Sequence, residues 1–139
     1  MRHLVREAGL EGSIAADSAA ATRDALGWGV HPGTKEVLRA HGIRCGGHRS
    51  RALTWEDYGR YDLIVGMDEE NRRDMLRILR SDPEHKVHLL LDWTDQPRKI
   101  DDPWYTDDYD TTYVDVRRGC EALLKATIIE TRGTQVNDK

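Results

Sequence analysis

The clearest strand signal in this sequence is Tyr61-Asp62-Leu63-Ile64-Val65-Gly66-Met67. A near-continuous apolar run of this length is typical of a strand that is buried on both faces of a parallel sheet. Asp68 is predicted to open a helix that runs through Arg80, with Asp68 and Asn71 acting as capping residues. The following strand is predicted over Lys86-Val87-His88-Leu89-Leu90-Leu91. A strand, a helix and a second strand in this order indicate parallel pairing.

Further helices are predicted on both sides of this unit, over residues 2–10, 34–41 and 109 to about 132. The first of them has neither a capping residue nor a strand before it. Ser13 to Ala20 is predicted to form a short strand of small residues. Thr54 is predicted to cap a short helical turn, with Asp57 three residues later.

Because strands alternate with helices and hairpin-turn signals are absent, the predicted fold class is α/β, with a parallel sheet covered on both faces. With 139 residues, the chain is long enough for one hydrophobic core and too short for two. We predict a single domain over residues 1–132 and a polar tail over residues 133–139.

Composition excludes several classes of function. Charged residues make up 33% of the chain and the net charge is -4, so binding to nucleic acid has no electrostatic basis. The sequence contains no apolar run long enough to cross a membrane. Cys45 and Cys120 lack a CxxC spacing, which favours reduced thiols and a cytoplasmic location. His85 and His88 lie close together without a third ligand, so we predict no metal site and no cofactor.

The stretch Asp102-Pro103-Trp104-Tyr105 combines a carboxylate with two aromatic rings, just before a long helix. A carboxylate on a stiff turn beside aromatic rings suits protonation of an aryl leaving group. Pro103 fixes the backbone, and the two rings can reduce the access of water. The same residues can also be interpreted as an ordinary Asp-Pro turn with surface aromatics.

Several segments that follow one another in order over nearly the whole chain resemble the low-molecular-weight protein tyrosine phosphatases. They are Asp17–Ala20, His31–Thr34, Glu36–Ile43, His48–Thr54, Tyr61–Asp68 with Asn71, Asp102–Tyr105 and Cys120–Leu124. The resemblance implies a four-stranded parallel sheet in a three-layer α/β/α sandwich. It also implies hydrolysis of phosphotyrosine through a phosphocysteine intermediate.

The family's nucleophile lies in a C-x5-R-S loop between its first strand and first helix, where backbone N–H groups hold the phosphate. The resemblance places Met1 partway through that first helix. The first, central strand and the loop are therefore expected to be missing from this chain. A start codon assigned too late, a truncated fragment or a genuinely shorter protein would each give this sequence.

A second candidate nucleophile is Cys45, because Cys45-Gly46-Gly47-His48-Arg49-Ser50-Arg51 fits the spacing C-x5-R. Gly46 and Gly47 would let the backbone approach a phosphate, and Arg51 could bind two of its oxygens. Against this, the residues before Cys45 are predicted to end a helix rather than a strand. The resemblance makes this stretch a connector in which Arg49 and Arg51 are structural. Cys120 falls on the apolar face of the last helix and is predicted to lie in the core.

The resemblance implies a role for four residues. Asp102 is the expected general acid, which protonates the leaving phenolate and later activates water. Trp104 and Tyr105 are expected to contact the substrate's aromatic ring, and Asp24 to lie at the rim of the pocket. For Asp24, a solvated loop charge is an equally good interpretation.

The predicted function is that of a protein tyrosine phosphatase homologue that acts, in its parent family, on phosphotyrosine proteins or aryl phosphates. This chain is expected to be inactive or nearly so, because a general acid assists a nucleophile and cannot replace one. One alternative is a non-catalytic interaction module or truncated fragment. It would bind a partner through the Trp104-Tyr105 rim or through the strand edge left unpaired, where a homodimer could form. A further alternative is an arsenate reductase or a phosphoarginine phosphatase.

Overall fold

The computed structural model describes residues 1–21, 32–43, 51–101 and 103–137, and it describes Trp104 and residues 130–137 by their backbone alone. In chain order the elements are α1 (Arg2–Glu7), α2 (Pro32–Ala40), α3 (Asp57–Arg60), β1 (Ile64–Gly66), α4 (Glu69–Leu79), β2 (Val87–Leu89), a 3-10 turn (Leu90–Trp93), α5 (Pro103–Thr106) and α6 (Tyr109–Asn137). Within these ranges, no helix is both long enough and apolar enough to cross a bilayer.

Strands β1 and β2 pair in parallel, with Ile64 opposite Val87 and Gly66 opposite Leu89. Helix α4 connects them and packs against both. A Cβ atom added at Gly66 would lie 3.0 Å from the Met75 sulfur, so the glycine allows α4 to approach the sheet closely. The predicted α/β fold with a parallel sheet is confirmed.

Polar side chains fix both sides of the turn between β1 and α4. The Asp68 carboxylate accepts a hydrogen bond from the backbone N–H of Asn71 at 2.8 Å, as an N-cap does. The Asn71 side chain in turn accepts from the backbone N–H of Met67 at 3.0 Å. The predicted capping roles are confirmed, and Asn71 also holds the end of β1 against the first turn of α4.

The core lies between α6 and the 3-10 turn and is formed by Leu90, Leu91, Ile100 and Cys120. Cys120 is 6% exposed, which confirms its predicted core position. The two backbones can come close here because Gly119 has no side chain. A Cβ atom added at Gly119 would lie 2.5 Å from Cγ of Leu90. Helices α1 and α2 also pack against α6.

All three strand predictions are too long. The strand predicted from Tyr61 to Met67 is reduced to β1, Ile64–Gly66. The strand predicted over residues 86–91 ends at Leu89, where the Asp92 carboxylate accepts the Leu89 N–H at 3.0 Å and the chain turns into the 3-10 helix. The strand predicted from Ser13 to Ala20 is reduced to a single parallel bridge between Ala20 and Ala52. Among the described residues, the remainder of that segment pairs with no strand.

The predicted helices are present with shifted ends. The helix expected over residues 2–10 is α1, which ends before Gly9 at φ +69°. The helix expected over residues 34–41 begins earlier, at Pro32. Helix α3 begins at Asp57 instead of just after Thr54. Helix α6 continues through residue 137, so the backbone is helical over most of the predicted polar tail.

Candidate active site at the carboxyl end of the sheet

The structure describes the candidate site residues only in part. Asp102 and Asp24 lie outside the described residues, and Trp104 is placed by its backbone, at the start of α5. Tyr105 is 80% exposed. The predicted aromatic residues are therefore consecutive residues of α5, and one of them stands in solvent.

The segment that leads to Asp102 is attached to the end of β1. The backbone N–H of Ile100 donates to the carbonyl oxygen of Met67 at 2.9 Å, and Met67 directly follows β1. Ile100 itself is 2% exposed, in the core. Because open parallel sheets bind ligands beyond the carboxyl ends of their strands, this is the expected position for a catalytic segment.

An ion pair fixes the same segment to α6. Two guanidinium nitrogens of Arg98 donate to the two carboxylate oxygens of Asp115, at 2.8 and 3.3 Å. Asp115 is 6% exposed. The hydrogen bond to Asp115 and the charge of that carboxylate raise the pKa of Arg98.

Further contacts hold the backbone on either side of Asp102. The Thr112 hydroxyl lies 3.3 Å from the carbonyl oxygen of Asp101 and 3.1 Å from that of Asp108, so it shares its one hydrogen between them. The Asp101 carboxylate lies 3.6 Å from the Lys99 ammonium, in an exposed ion pair.

After α5, Asp108 accepts the N–H of Thr111 at 3.0 Å and acts as the N-cap of α6. The hydrogen bonds from the Thr111 hydroxyl and amide lower the pKa of Asp108.

A second polar cluster, which the sequence reasoning missed, joins Asp17, Arg51, Asp57 and Tyr61. The Arg51 guanidinium donates to the Asp57 carboxylate at 3.1 Å and lies 3.6 Å from that of Asp17. The Tyr61 hydroxyl donates to Asp17 at 3.1 Å. The cluster ties the chain around residue 17 to the residues that precede β1.

Asp57 is the buried centre of this cluster, at 1% exposure. Its carboxylate also accepts the backbone N–H of Thr54 at 2.8 Å. Burial raises the pKa of Asp57, but the hydrogen bonds from Thr54 and Arg51 outweigh it, and the pKa lies below its ordinary value. The spacing of Thr54 and Asp57 was the available sequence signal, although nothing in it indicated that the acid is buried.

The structure describes one of the two cysteines. Cys120 is enclosed in the core, and Cys45 lies outside the described residues. Among the residues that the structure describes, no group of three or more His, Cys, Asp or Glu side chains could hold a metal ion.

In this parallel α/β unit, the segment that ends at Asp101 is held beyond the carboxyl end of β1, the end at which open parallel sheets bind ligands. The comparison with known families is more specific. The family model for low molecular weight phosphotyrosine protein phosphatase matches residues 1–134. The chain belongs to this family.

Individual relatives agree with this assignment. The low molecular weight protein-tyrosine-phosphatase YfkJ of Bacillus subtilis is 34% identical over 125 residues, which cover 88% of this chain and 80% of that protein. Its crystal structure matches with a TM-score of 0.88 and covers 93% of this chain and 82% of its own. The low molecular weight phosphotyrosine protein phosphatase of Sus scrofa is 31% identical over 129 residues, 89% of this chain and 81% of that protein.

Proposed function

We propose that this chain has the general-acid half of a phosphotyrosine phosphatase site, and that the 139-residue polypeptide by itself turns over aryl phosphates slowly or not at all. Asp102 is the proposed acid, Trp104 and Tyr105 the proposed contacts to the substrate's aromatic ring, and Asp24 a proposed rim residue. The family membership and the names of the relatives, which are protein-tyrosine phosphatases, support the substrate class. A cytoplasmic location stays a prediction.

The observation that carries the proposal is the position of Arg51. In the spacing that begins at Cys45, this arginine would have to bind the phosphate. Its guanidinium instead contacts the carboxylates of Asp57 and Asp17, at 3.1 and 3.6 Å. A phosphate bound in place of Asp57 would take the arginine from a buried carboxylate and leave that carboxylate without its charged partner, which is destabilising.

The flanks of the Cys45 stretch support the same conclusion. A phosphate-binding loop needs a strand before it and a helix N-terminus after it. The last described residues before Cys45 follow the end of α2, with Gly42 at φ +72°. After the stretch, Ala52 is in an isolated bridge and not in a helix.

With Arg51 paired to Asp57 and Cys120 enclosed in the core, neither thiol of the polypeptide is the proposed nucleophile, so the proposed acid has no bond-breaking step to assist. General acid catalysis typically contributes about 10²- to 10⁴-fold, and it acts on a reaction that another group begins. We therefore expect hydrolysis of p-nitrophenyl phosphate to stay at the buffer rate.

The experiment compares p-nitrophenyl phosphate hydrolysis by the chain with that of its Cys45→Ser variant. Cys120→Ser serves as the matched control, since it removes the other thiol. The three proteins are expected to give the same background rate. Turnover above background in the unmodified chain contradicts the proposal, and its loss in Cys45→Ser alone would identify Cys45 as the nucleophile.

A second candidate function, a binding module that forms a homodimer, is favoured by the free edge of β1. In a parallel ladder, Ile64 and Gly66 bond to β2, which leaves the N–H and C=O groups of Val65 on the opposite side. Within the described ranges, no strand pairs with that side. Leu63 beside it is 38% exposed. Size-exclusion chromatography tests this candidate: a dimer that Val65→Pro disrupts supports it, and a folded monomer at all concentrations contradicts it.

A further inference from the structure

Asp115 is one of two buried charged residues in the described part of the chain, together with Asp57. It lies in α6, far along the sequence from the segment it contacts. A buried carboxylate without a partner is strongly destabilising, so its partner is held in place. That partner is Arg98, which binds both carboxylate oxygens and therefore has one preferred orientation.

Contacts from α6 and from the residue after β1 reach three positions of one short segment. Asp115 holds Arg98, and the Met67 carbonyl holds the N–H of Ile100. The Thr112 hydroxyl shares its hydrogen between the carbonyls of Asp101 and Asp108. Thr112 and Asp115 are three residues apart in a helix and therefore lie on the same face. The last of these contacts is made at Asp101, the residue before Asp102.

We propose that Arg98 and Asp115 are positioning residues that fix the backbone leading to Asp102. This inference rests on the proposed role of Asp102 as the general acid. A general acid must lie within hydrogen-bond reach of the atom it protonates, and a displacement of about 1 Å can cost about 100-fold in rate. Pro103 follows Asp102 and restricts the backbone on the other side.

The loop contains a matched control for this pair. Asp95 lies 3.8 Å from Arg118, so a second ion pair joins the same loop to the same helix. The Asp95 side chain is 90% exposed, and an exposed pair of this kind contributes little. Asp95→Asn and Asp115→Asn make the same chemical change, and only the second removes a buried charge.

The test measures amide hydrogen exchange by NMR in the unmodified chain, Asp115→Asn and Asp95→Asn. The Ile100 amide, which donates to Met67, reports on the segment, and the Ile64 amide, which donates to the Lys86 carbonyl, reports on the sheet. In Asp115→Asn we expect the Ile100 amide to exchange at least about tenfold faster than in the unmodified chain, with little change at Ile64. In Asp95→Asn both amides keep their rates.

Arg98→Lys provides a second, conservative variant, because it keeps the charge and loses the bidentate geometry. It is expected to give an Ile100 exchange rate between those of the unmodified chain and Asp115→Asn. Unchanged Ile100 exchange in Asp115→Asn overturns the proposal. An equal increase at Ile100 and Ile64 also overturns it, since it would mark a general loss of stability. Neither exchange rate depends on turnover, so a failure of this proposal can be distinguished from a failure of the proposed function.

Discussion

At the amino end of the two strands, polar side chains bond to one another, whereas at the carboxyl end an aromatic side chain stands in solvent. The Tyr58 hydroxyl donates to Asp82 at 2.7 Å, and Asp82 also accepts the backbone N–H groups of Lys86 and Val87. At the other end, Tyr105 is 80% exposed. These polar groups at the amino end already have hydrogen-bond partners within the protein. The carboxyl end keeps side chains that a ligand can contact.

The largest expected effect concerns the core beneath the carboxyl end. Leu91 is 1% exposed, and Leu91→Ala is expected to lower the free energy of unfolding by about 2–5 kcal/mol, because it leaves a cavity. Urea denaturation measures this change. The control is Ile129→Ala, at a residue 60% exposed, which is expected to change the free energy by less than about 0.5 kcal/mol. Equal effects of the two substitutions would mean that the core is not centred on this turn.

The next effect belongs to the amino end. Asp82→Ala removes the acceptor of Tyr58 and of two backbone amides, and we expect a loss of about 1–3 kcal/mol in the free energy of unfolding. Glu84→Ala removes an exposed ion pair with Lys86 and is the control, expected to cost at most about 1 kcal/mol. If Asp82→Ala cost no more than Glu84→Ala, the amino end would not be closed by these bonds.

A smaller effect is the response of the amino end to acid. Burial raises the pKa of Asp82, but the hydrogen bonds from Tyr58 and the two amides outweigh it and the pKa lies below its ordinary value. A lowered folded-state pKa stabilises the protein above the unfolded value of about 3.9, and this stability is lost as the pH falls through the folded value. Urea denaturation should show a smaller acid-induced loss below about pH 4 for Asp82→Asn than for the unmodified chain. Parallel pH profiles would contradict this.

The smallest expected change in stability is at the carboxyl end. Tyr105→Ala removes a side chain that is 80% exposed, and the free energy of unfolding is expected to change by less than about 0.5 kcal/mol. Thermal denaturation followed by circular dichroism measures it. A loss above about 1 kcal/mol would show that Tyr105 has a packing role and would remove the contrast between the two ends.

The sequence predicted best where a local pattern is enough. The apolar run before Gly66 and the cap at Asp68 gave the type and order of β1 and α4, because burial and capping act over a few residues. The segment from Ser13 to Ala20 has small residues and no alternating pattern, and its strand was overpredicted. The end of β2 depends on a hydrogen bond from the Leu89 N–H to the Asp92 carboxylate, which the apolar run does not reveal.

The candidate site shows the same limit. The stretch from Asp102 to Tyr105 is predicted as a site from its residue types and from the family resemblance, and its role stays a prediction. The burial of Asp57 and Asp115 was not found, because a buried acid and a surface acid look alike in a sequence. Their partners, Arg51 and Arg98, are brought to them by the tertiary fold. Contacts between distant residues are what a single sequence leaves undetermined.

The central claim, that the polypeptide has an acid segment without an activated thiol, is tested most directly by the reactivity of Cys45. We would measure alkylation by iodoacetate as a function of pH in the Cys120→Ser background, with and without inorganic phosphate. The account predicts slow alkylation at pH 6, a rate that rises with pH through about 8.5 as for an unactivated thiol, and no protection by phosphate. Rapid alkylation at pH 6 that phosphate suppresses would contradict it.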